Sequence, residues 1–135
     1  MFSEQLLNVL SGVSIGIIIF QSAVIAPTVL KTLDFEPTSK FLRSVWPTFF
    51  KVLVGIGFVY NIVFFYQYFS GQEKSFFDVL MAPFTLSLPI VALAIIPETN
   101  RAADNGNKKK FNLLHISSVA LTLILLAIYI LSINF

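Results

Sequence analysis

The sequence predicts an all-α integral membrane protein, folded as an antiparallel bundle of four transmembrane helices. Hydrophobic residues make up 56% of its 135 residues and charged residues only 12%, and the mean hydropathy is +0.84. Because a soluble domain usually carries about 25% charged residues, this chain has too few to cover a surface that faces water. The apolar residues are also gathered into four long stretches, which sets the number of helices.

Each of these stretches is long enough to cross a bilayer, whose hydrocarbon core of roughly 30 Å requires about 20 apolar residues in a helix. They occupy residues 6–30, 47–69, 76–96 and 113–133. We predict that all four are membrane spans and that residues 1–135 form a single membrane domain. No basic residue precedes the first span, so we expect a retained helix there and not a cleaved signal peptide.

The second and third spans are joined by residues 70–75, a short polar link that contains Gly71. Such a link forms a tight turn, which makes the two helices antiparallel neighbours. The third span contains Pro83 and Pro89, which lack the N–H that would bond to the carbonyl four residues earlier. We therefore predict a kinked third helix.

The distribution of Lys and Arg predicts the orientation of the bundle. The second link holds only Lys74, whereas the first and third links and their edges hold Lys31, Lys40, Arg43, Lys51, Arg101, Lys108, Lys109 and Lys110. Short cytoplasmic loops carry the excess of basic residues in membrane proteins. We therefore expect the first and third links in the cytoplasm and both termini outside it, in a bacterial cytoplasmic membrane.

Small and polar residues mark the faces on which transmembrane helices meet, because lipid is as apolar as leucine. In the second span this face is Pro47, Phe50, Val54, Gly57, Asn61, Phe64 and Tyr68, and in the fourth it is His115, Ser118, Thr122, Leu125, Tyr129 and Ser132. Two interpretations stay open: the polar side chains bond one helix to the next, or they line a cavity inside the bundle. The candidate ligand-binding residues of such a cavity are Gln21, Asn61, Thr85, His115, Ser118 and Thr122.

The sequence contains no pattern that indicates catalysis. His115 is the single histidine and cysteine is absent, whereas a zinc site needs three or four protein ligands. His115 could supply one axial ligand of a haem and no more. No span carries a charged residue near its centre, which argues against an ion pump or a proton-coupled transporter. We therefore predict no catalytic residue, no metal site and no cofactor.

The run Lys108-Lys109-Lys110 is the most basic segment of the chain. It is short for binding a nucleic acid, and we expect it to contact anionic lipid headgroups. The partners that we predict are thus the bilayer itself and no nucleic acid. A second copy of the chain or another membrane subunit also remains possible as a partner.

Two strings resemble a known family. Residues 20–27 (FQSAVIAP) look like the first span of the transmembrane-protein-205-like family, and residues 111–119 (FNLLHISSV) are similar to the pattern that opens its last span. That family comprises small four-helix membrane proteins with a domain of unknown function. The resemblance implies the same architecture and no catalytic residue, and it directs interest to Pro27, Pro97, Phe111, His115 and Ser118.

Three functional hypotheses follow. The first is a non-enzymatic small polytopic membrane protein that acts as an accessory or structural component. The second is a haem- or cofactor-binding redox protein, in which His115 is one ligand and a partner subunit supplies the other. The third is a small-molecule transporter whose site is lined by Gln21, Asn61, Thr85 and Thr122.

Overall fold

The computed structural model describes residues 2–133, with side chains from Glu4 onward. These residues form six α-helices and one π-helical segment, and no β-strand occurs among them. In chain order the elements are α1 (Phe2–Phe20), the π-helical segment (Gln21–Ile25), α2 (Ala26–Thr32), α3 (Phe35–Phe69), α4 (Phe76–Met81), α5 (Phe84–Asp104) and α6 (Lys108–Ser132).

Four helical stretches within the described residues are long and apolar enough to cross a membrane: Glu4–Thr32, Phe35–Phe69, Phe76–Asp104 and Lys108–Ser132. Helix α1 packs against α3 and α6, and α5 packs against the same two helices. The four long helices therefore form a closed ring, in which each is held by two neighbours. This arrangement confirms the all-α bundle of four membrane-spanning helices.

The first link is almost entirely helical, although its polar composition predicted a loop. Helix α3 begins at Phe35, so only Leu33 and Asp34 separate it from α2. Pro37 lies in its first turn, where backbone N–H groups have no acceptor within the helix. The N–H that proline lacks therefore costs the helix no hydrogen bond. The helix has 35 residues, which corresponds to about 52 Å at 1.5 Å per residue. It therefore extends well beyond the hydrocarbon core at its basic end.

The third link is also shorter than its composition suggested. Helix α5 continues through Pro97 to Asp104, and α6 begins at Lys108. The residues between them turn at Gly106, whose φ of +68° favours glycine. The side chain of Asn107 then caps α6 by accepting a hydrogen bond of 3.1 Å from the backbone N–H of Lys110.

The third span is broken at one of its two prolines. Helix α4 ends at Met81, and Ala82 and Pro83 form a turn before α5. Pro89 is buried inside α5 without ending it. At the other side of α4, the hydroxyl of Ser75 caps the helix by accepting a 3.0 Å hydrogen bond from the N–H of Asp78.

The buried face of α3 differs in part from the predicted one. Phe50, Gly57 and Phe64 are buried as expected, whereas Tyr68 is 42% exposed. Gln67 is fully buried in its place. The actual face follows the spacing Phe50, Leu53, Gly57, Tyr60, Phe64 and Gln67. Steps of three and four residues fit both series, so periodicity did not distinguish them.

Candidate functional site

Buried polar side chains from all four long helices line the interior of the bundle. Helix α1 contributes Ser11 and Ser14, α3 contributes Gln67, α5 contributes Thr85, and α6 contributes Thr122. Polar groups in a membrane interior usually bond to other helices or face a cavity. Their hydrogen-bond partners therefore decide between the two interpretations of the polar faces.

The contact between α3 and α5 is the closest in this interior. A β-carbon placed on Gly57 would lie 2.3 Å from the carbonyl oxygen of Thr85, which is far inside van der Waals contact. One turn along α3, the Nδ2 atom of Asn61 donates to the hydroxyl of Thr85 at 2.9 Å and to the carbonyl of Gly57 at 2.7 Å. The Thr85 hydroxyl in turn donates to the carbonyl of Ala82 at 2.7 Å. Both hydrogens of the Asn61 amide are thus used within the protein.

Two tyrosines meet beside this contact. The rings of Tyr60 on α3 and Tyr129 on α6 are 5.7 Å apart and nearly perpendicular, a favourable edge-to-face arrangement. Tyr129 is fully buried, and the hydroxyls of Ser14 and Thr85 are its polar neighbours. The Tyr129 hydroxyl nevertheless makes no hydrogen bond of acceptable geometry among the described residues, and neither does the hydroxyl of Ser14.

Of the six predicted ligand-binding residues, four are found in the regions described here, and a fifth, Ser118, is half-buried on α6. Asn61 and Thr85 are hydrogen-bonded to each other. Thr122 is buried on α6, where its hydroxyl donates to the backbone carbonyl of Ser118 at 2.8 Å. Gln21 is buried in the π-helical segment. The ligand-binding role of each residue remains a prediction.

The sequence had placed His115 in the bundle interior, but the structure places it outside. Its side chain is exposed and its ring stacks on that of Phe111 at a centroid distance of 5.8 Å and an interplanar angle of 2°. The buried residues of α6 are Thr122, Leu125, Ile128 and Tyr129, which all lie in the half of the helix away from its basic end. His115 lies two turns before Thr122 on the same face, in the part of α6 where neighbouring helices leave the side chains uncovered.

The π-helical segment places Gln21 beside a groove on the bundle surface. A π turn carries one additional residue per turn and often occurs at functional positions. The groove has a volume of about 300 Å³ and lies between the first span and α3. Its walls are mainly apolar, and Gln21 and Thr48 are its polar members; the others are Ile17, Phe20, Val45, Phe49 and Val52.

Ion pairs connect the helices at the basic end, beyond the predicted spans. Arg43 of α3 donates two hydrogen bonds, of 3.2 and 2.5 Å, to the carboxylate of Asp104 on α5. This pairing with the Arg43 guanidinium lowers the pKa of Asp104. Glu98 of α5 accepts from Lys110 of α6 at 2.9 Å and also pairs with Arg101. The pKa of Glu98 is lowered mainly by the hydrogen bond from Lys110 and, to a smaller extent, by the charge of Arg101.

A family model described as a domain of unknown function (DUF4149) matches residues 9–108 of this chain. The chain belongs to the DUF4149 family. No curated protein and no solved structure matches it significantly. The matched DUF4149 region includes Gln21, the contact of Gly57 and Asn61 with Thr85, and the ion pair of Arg43 with Asp104. It ends at Lys108, so the buried residues of α6 follow it.

Sequence reasoning did not select several residues of this DUF4149 interior. Tyr60 was missed because it neighbours Asn61, and the predicted face passed through Asn61. Gln67 was missed because the predicted face passed through its neighbour Tyr68. No group of three or more potential metal ligands exists among the described residues.

Proposed function

We propose that this DUF4149 protein is a non-enzymatic accessory or structural component of its membrane. The observation that supports this proposal most strongly is the use of Asn61. Its amide hydrogens bind Gly57 and Thr85, at the place where α3 and α5 come closest. The central polar group of the bundle therefore holds helices together and offers no free donor to a ligand.

Two grooves support the same proposal. One lies along the first span and α3, and the other, of about 240 Å³, lies near Phe35, Gly106 and Phe111 at the basic end. Both are on the outside of the ring of helices. A protein with such grooves has surfaces for lipids or neighbouring subunits, which suits an accessory role better than transport through the bundle.

We infer that the basic end faces the cytoplasm of a bacterial cell. The ion pairs of Arg43 and Glu98 lie there together with the exposed run Lys108, Lys109 and Lys110. The nearby ring of Phe35 is 86% exposed. Lysines beside an exposed aromatic ring suit the headgroup region of an anionic leaflet, so we propose that these three lysines contact anionic lipid headgroups.

Single-cysteine accessibility in right-side-out and inverted membranes tests the proposal, because the natural chain has no cysteine. Glu73→Cys should react with a membrane-impermeant maleimide from outside, and Asn105→Cys only from the cytoplasmic side. Thr122→Cys, inside the bundle, should react from neither side. Reaction of Thr122→Cys from either side would indicate an aqueous path and favour the transporter; reversed labelling of the two link positions would contradict the orientation.

A redox role remains the second candidate, because the exposed imidazole of His115 is accessible to a ligand shared with a partner subunit. Protein purified gently from its native membrane should be colourless if the accessory role is correct. A Soret band that disappears in His115→Ala, but persists in the neighbouring exposed variant Asn112→Ala, would favour the redox protein.

We further propose that DUF4149 and the transmembrane-protein-205-like family share one architecture. The strings at residues 20–27 and 111–119 support this proposal. In this chain they correspond to the π-helical turn before Pro27 and to the stacked pair of Phe111 and His115. A structure of a transmembrane-protein-205-like protein with straight α-helix at the corresponding proline would contradict a shared architecture.

A further inference from the structure

The groove beside Gln21 opens sideways from the bundle toward lipid. Phe20 is 56% exposed and Val52 is 44% exposed, so its walls reach the outer surface of the helices. The apolar walls are contributed by residues of the first span and of α3. A volume of about 300 Å³ accommodates part of one hydrocarbon chain and not a whole folded segment.

Gln21 supplies an unused hydrogen-bond donor at this groove. Its side chain is only 7% exposed, and its Nε2 atom has no hydrogen-bond partner among the described residues. The other polar member, Thr48, already donates to the carbonyl of Ser44 at 3.2 Å. An unpaired amide N–H in an apolar setting costs free energy unless an acceptor is supplied. The groove therefore suits a molecule that is apolar along its length and carries an acceptor oxygen.

The position of the groove along α3 identifies the level of that acceptor in the bilayer. From Phe69, the last residue of α3, to Thr48 is a rise of about 32 Å. With the outer edge of the hydrocarbon core placed at Phe69 and a core about 30 Å thick, Thr48 comes to lie where the acyl chains meet the glycerol esters and phosphates. Lys51 is exposed one turn away, and the neighbouring Trp46 is a typical interface residue.

We propose that this groove binds one anionic phospholipid from the leaflet at the basic end of the bundle. The Nε2 atom of Gln21 donates to an ester or phosphate oxygen of the lipid. Its acyl chain lies along Ile17 and Val52, and its headgroup is attracted by Lys51. This site is separate from the headgroup contacts of Lys108, Lys109 and Lys110, which lie on α6.

Fluorescence quenching of Trp46 tests this proposal, because Trp46 is the single tryptophan of the chain and packs against Phe49 of the groove at 5.5 Å. The full-length protein is reconstituted in phosphatidylcholine that contains increasing amounts of brominated phosphatidylglycerol. We expect Gln21→Leu to require about fivefold more brominated lipid for half-maximal quenching, the effect of losing one hydrogen bond. Lys51→Gln should abolish the preference for brominated phosphatidylglycerol over brominated phosphatidylcholine.

Two further variants keep the result interpretable. Gln67→Leu removes another buried, unpartnered amide at the opposite end of α3 and should leave quenching unchanged. Val52→Phe fills the groove from its exposed side and should weaken quenching without removing a polar group. Equal quenching in the wild type, Gln21→Leu and Val52→Phe would overturn the proposal. Displacement of the brominated lipid by a quinone, but not by unbrominated phosphatidylglycerol, would also overturn it by assigning the groove to another ligand.

Discussion

Gly57 and Thr85 bring the backbones of α3 and α5 into direct contact, with no room for a β-carbon between them. Small residues allow transmembrane helices to approach so closely, and the association is then driven by packing and by hydrogen bonds across the contact. Asn61 supplies these hydrogen bonds one turn away. A close backbone contact and its polar partner thus lie at the same level of the bundle.

Gly57→Ala should therefore destabilise the protein, because the new methyl group would meet the backbone of Thr85 and force the helices apart. We expect a loss of about 1–3 kcal/mol in the free energy of unfolding, typical of an overpacked contact. Thermal unfolding in detergent, followed by circular dichroism, measures it. Gly55→Ala is the matched control, since a β-carbon there meets nothing within 4 Å. Equal stability of the two variants would contradict the close contact.

Tyr129→Phe should leave stability unchanged or raise it slightly. The variant keeps the ring that packs edge-on against Tyr60 and removes a buried hydroxyl without a hydrogen-bond partner, which removes a desolvation cost. The same unfolding measurement applies, with Tyr129→Leu as the variant that also loses the ring and should be destabilised. A loss of more than about 1 kcal/mol in Tyr129→Phe would show that the hydroxyl is satisfied, by Ser14 or Thr85, a bound water or a ligand.

Acid should weaken the connection between α3 and α5 at the basic end. The lowered pKa of Asp104 means that its pairing with Arg43 stabilises the fold above the pKa of the unfolded chain. This contribution disappears as the pH falls through the lower, folded value. In Asp104→Asn this part of the pH dependence should be absent. The test is the melting temperature of both proteins from pH 7 down to pH 3, and parallel curves would contradict it.

High salt provides an independent check on the same pair. Both partners are partly exposed, so counterions should screen them. The difference in melting temperature between wild type and Asp104→Asn at neutral pH should shrink in 1 M salt, because interactions between exposed charges are then screened beyond a distance of about 3 Å. A difference that is unaffected by salt would point to a structural effect of the substitution and not to the ion pair.

Hydropathy was sufficient to predict the four spans, but not where the helices end. Residues 35–46 and 97–104 are polar enough to mark the edge of the membrane, and they were assigned to links for that reason. They nevertheless form helix, since hydropathy reports the surrounding medium and not the backbone conformation. Pro37 and Pro97 did not terminate the helices either, one because it lies in a first turn and the other because α5 continues through it.

The candidate site could be predicted in its composition but not in its contacts. Asn61 and Thr85 were both selected as interior polar residues, and they are hydrogen-bonded to each other. Their pairing depends on the relative rotation of two helices, which one sequence does not contain. Burial also changes along one face of α6, from exposed His115 to buried Tyr129, because neighbouring helices cover only part of its length. The π turn at Gln21 has no signal in periodicity, because it changes the backbone and not the residue pattern.

The central proposal is that the Asn61–Thr85 pair of the polar interior joins α3 to α5 and is not a ligand site. A double-mutant cycle of Asn61→Ala and Thr85→Val in detergent-solubilised protein tests it most directly. We expect a favourable coupling free energy of about 0.6 kcal/mol, and at most about 1.7 kcal/mol, as measured for hydrogen bonds between membrane helices. A cycle with no coupling, in variants that remain folded, would contradict the claim and leave Asn61 available to a ligand.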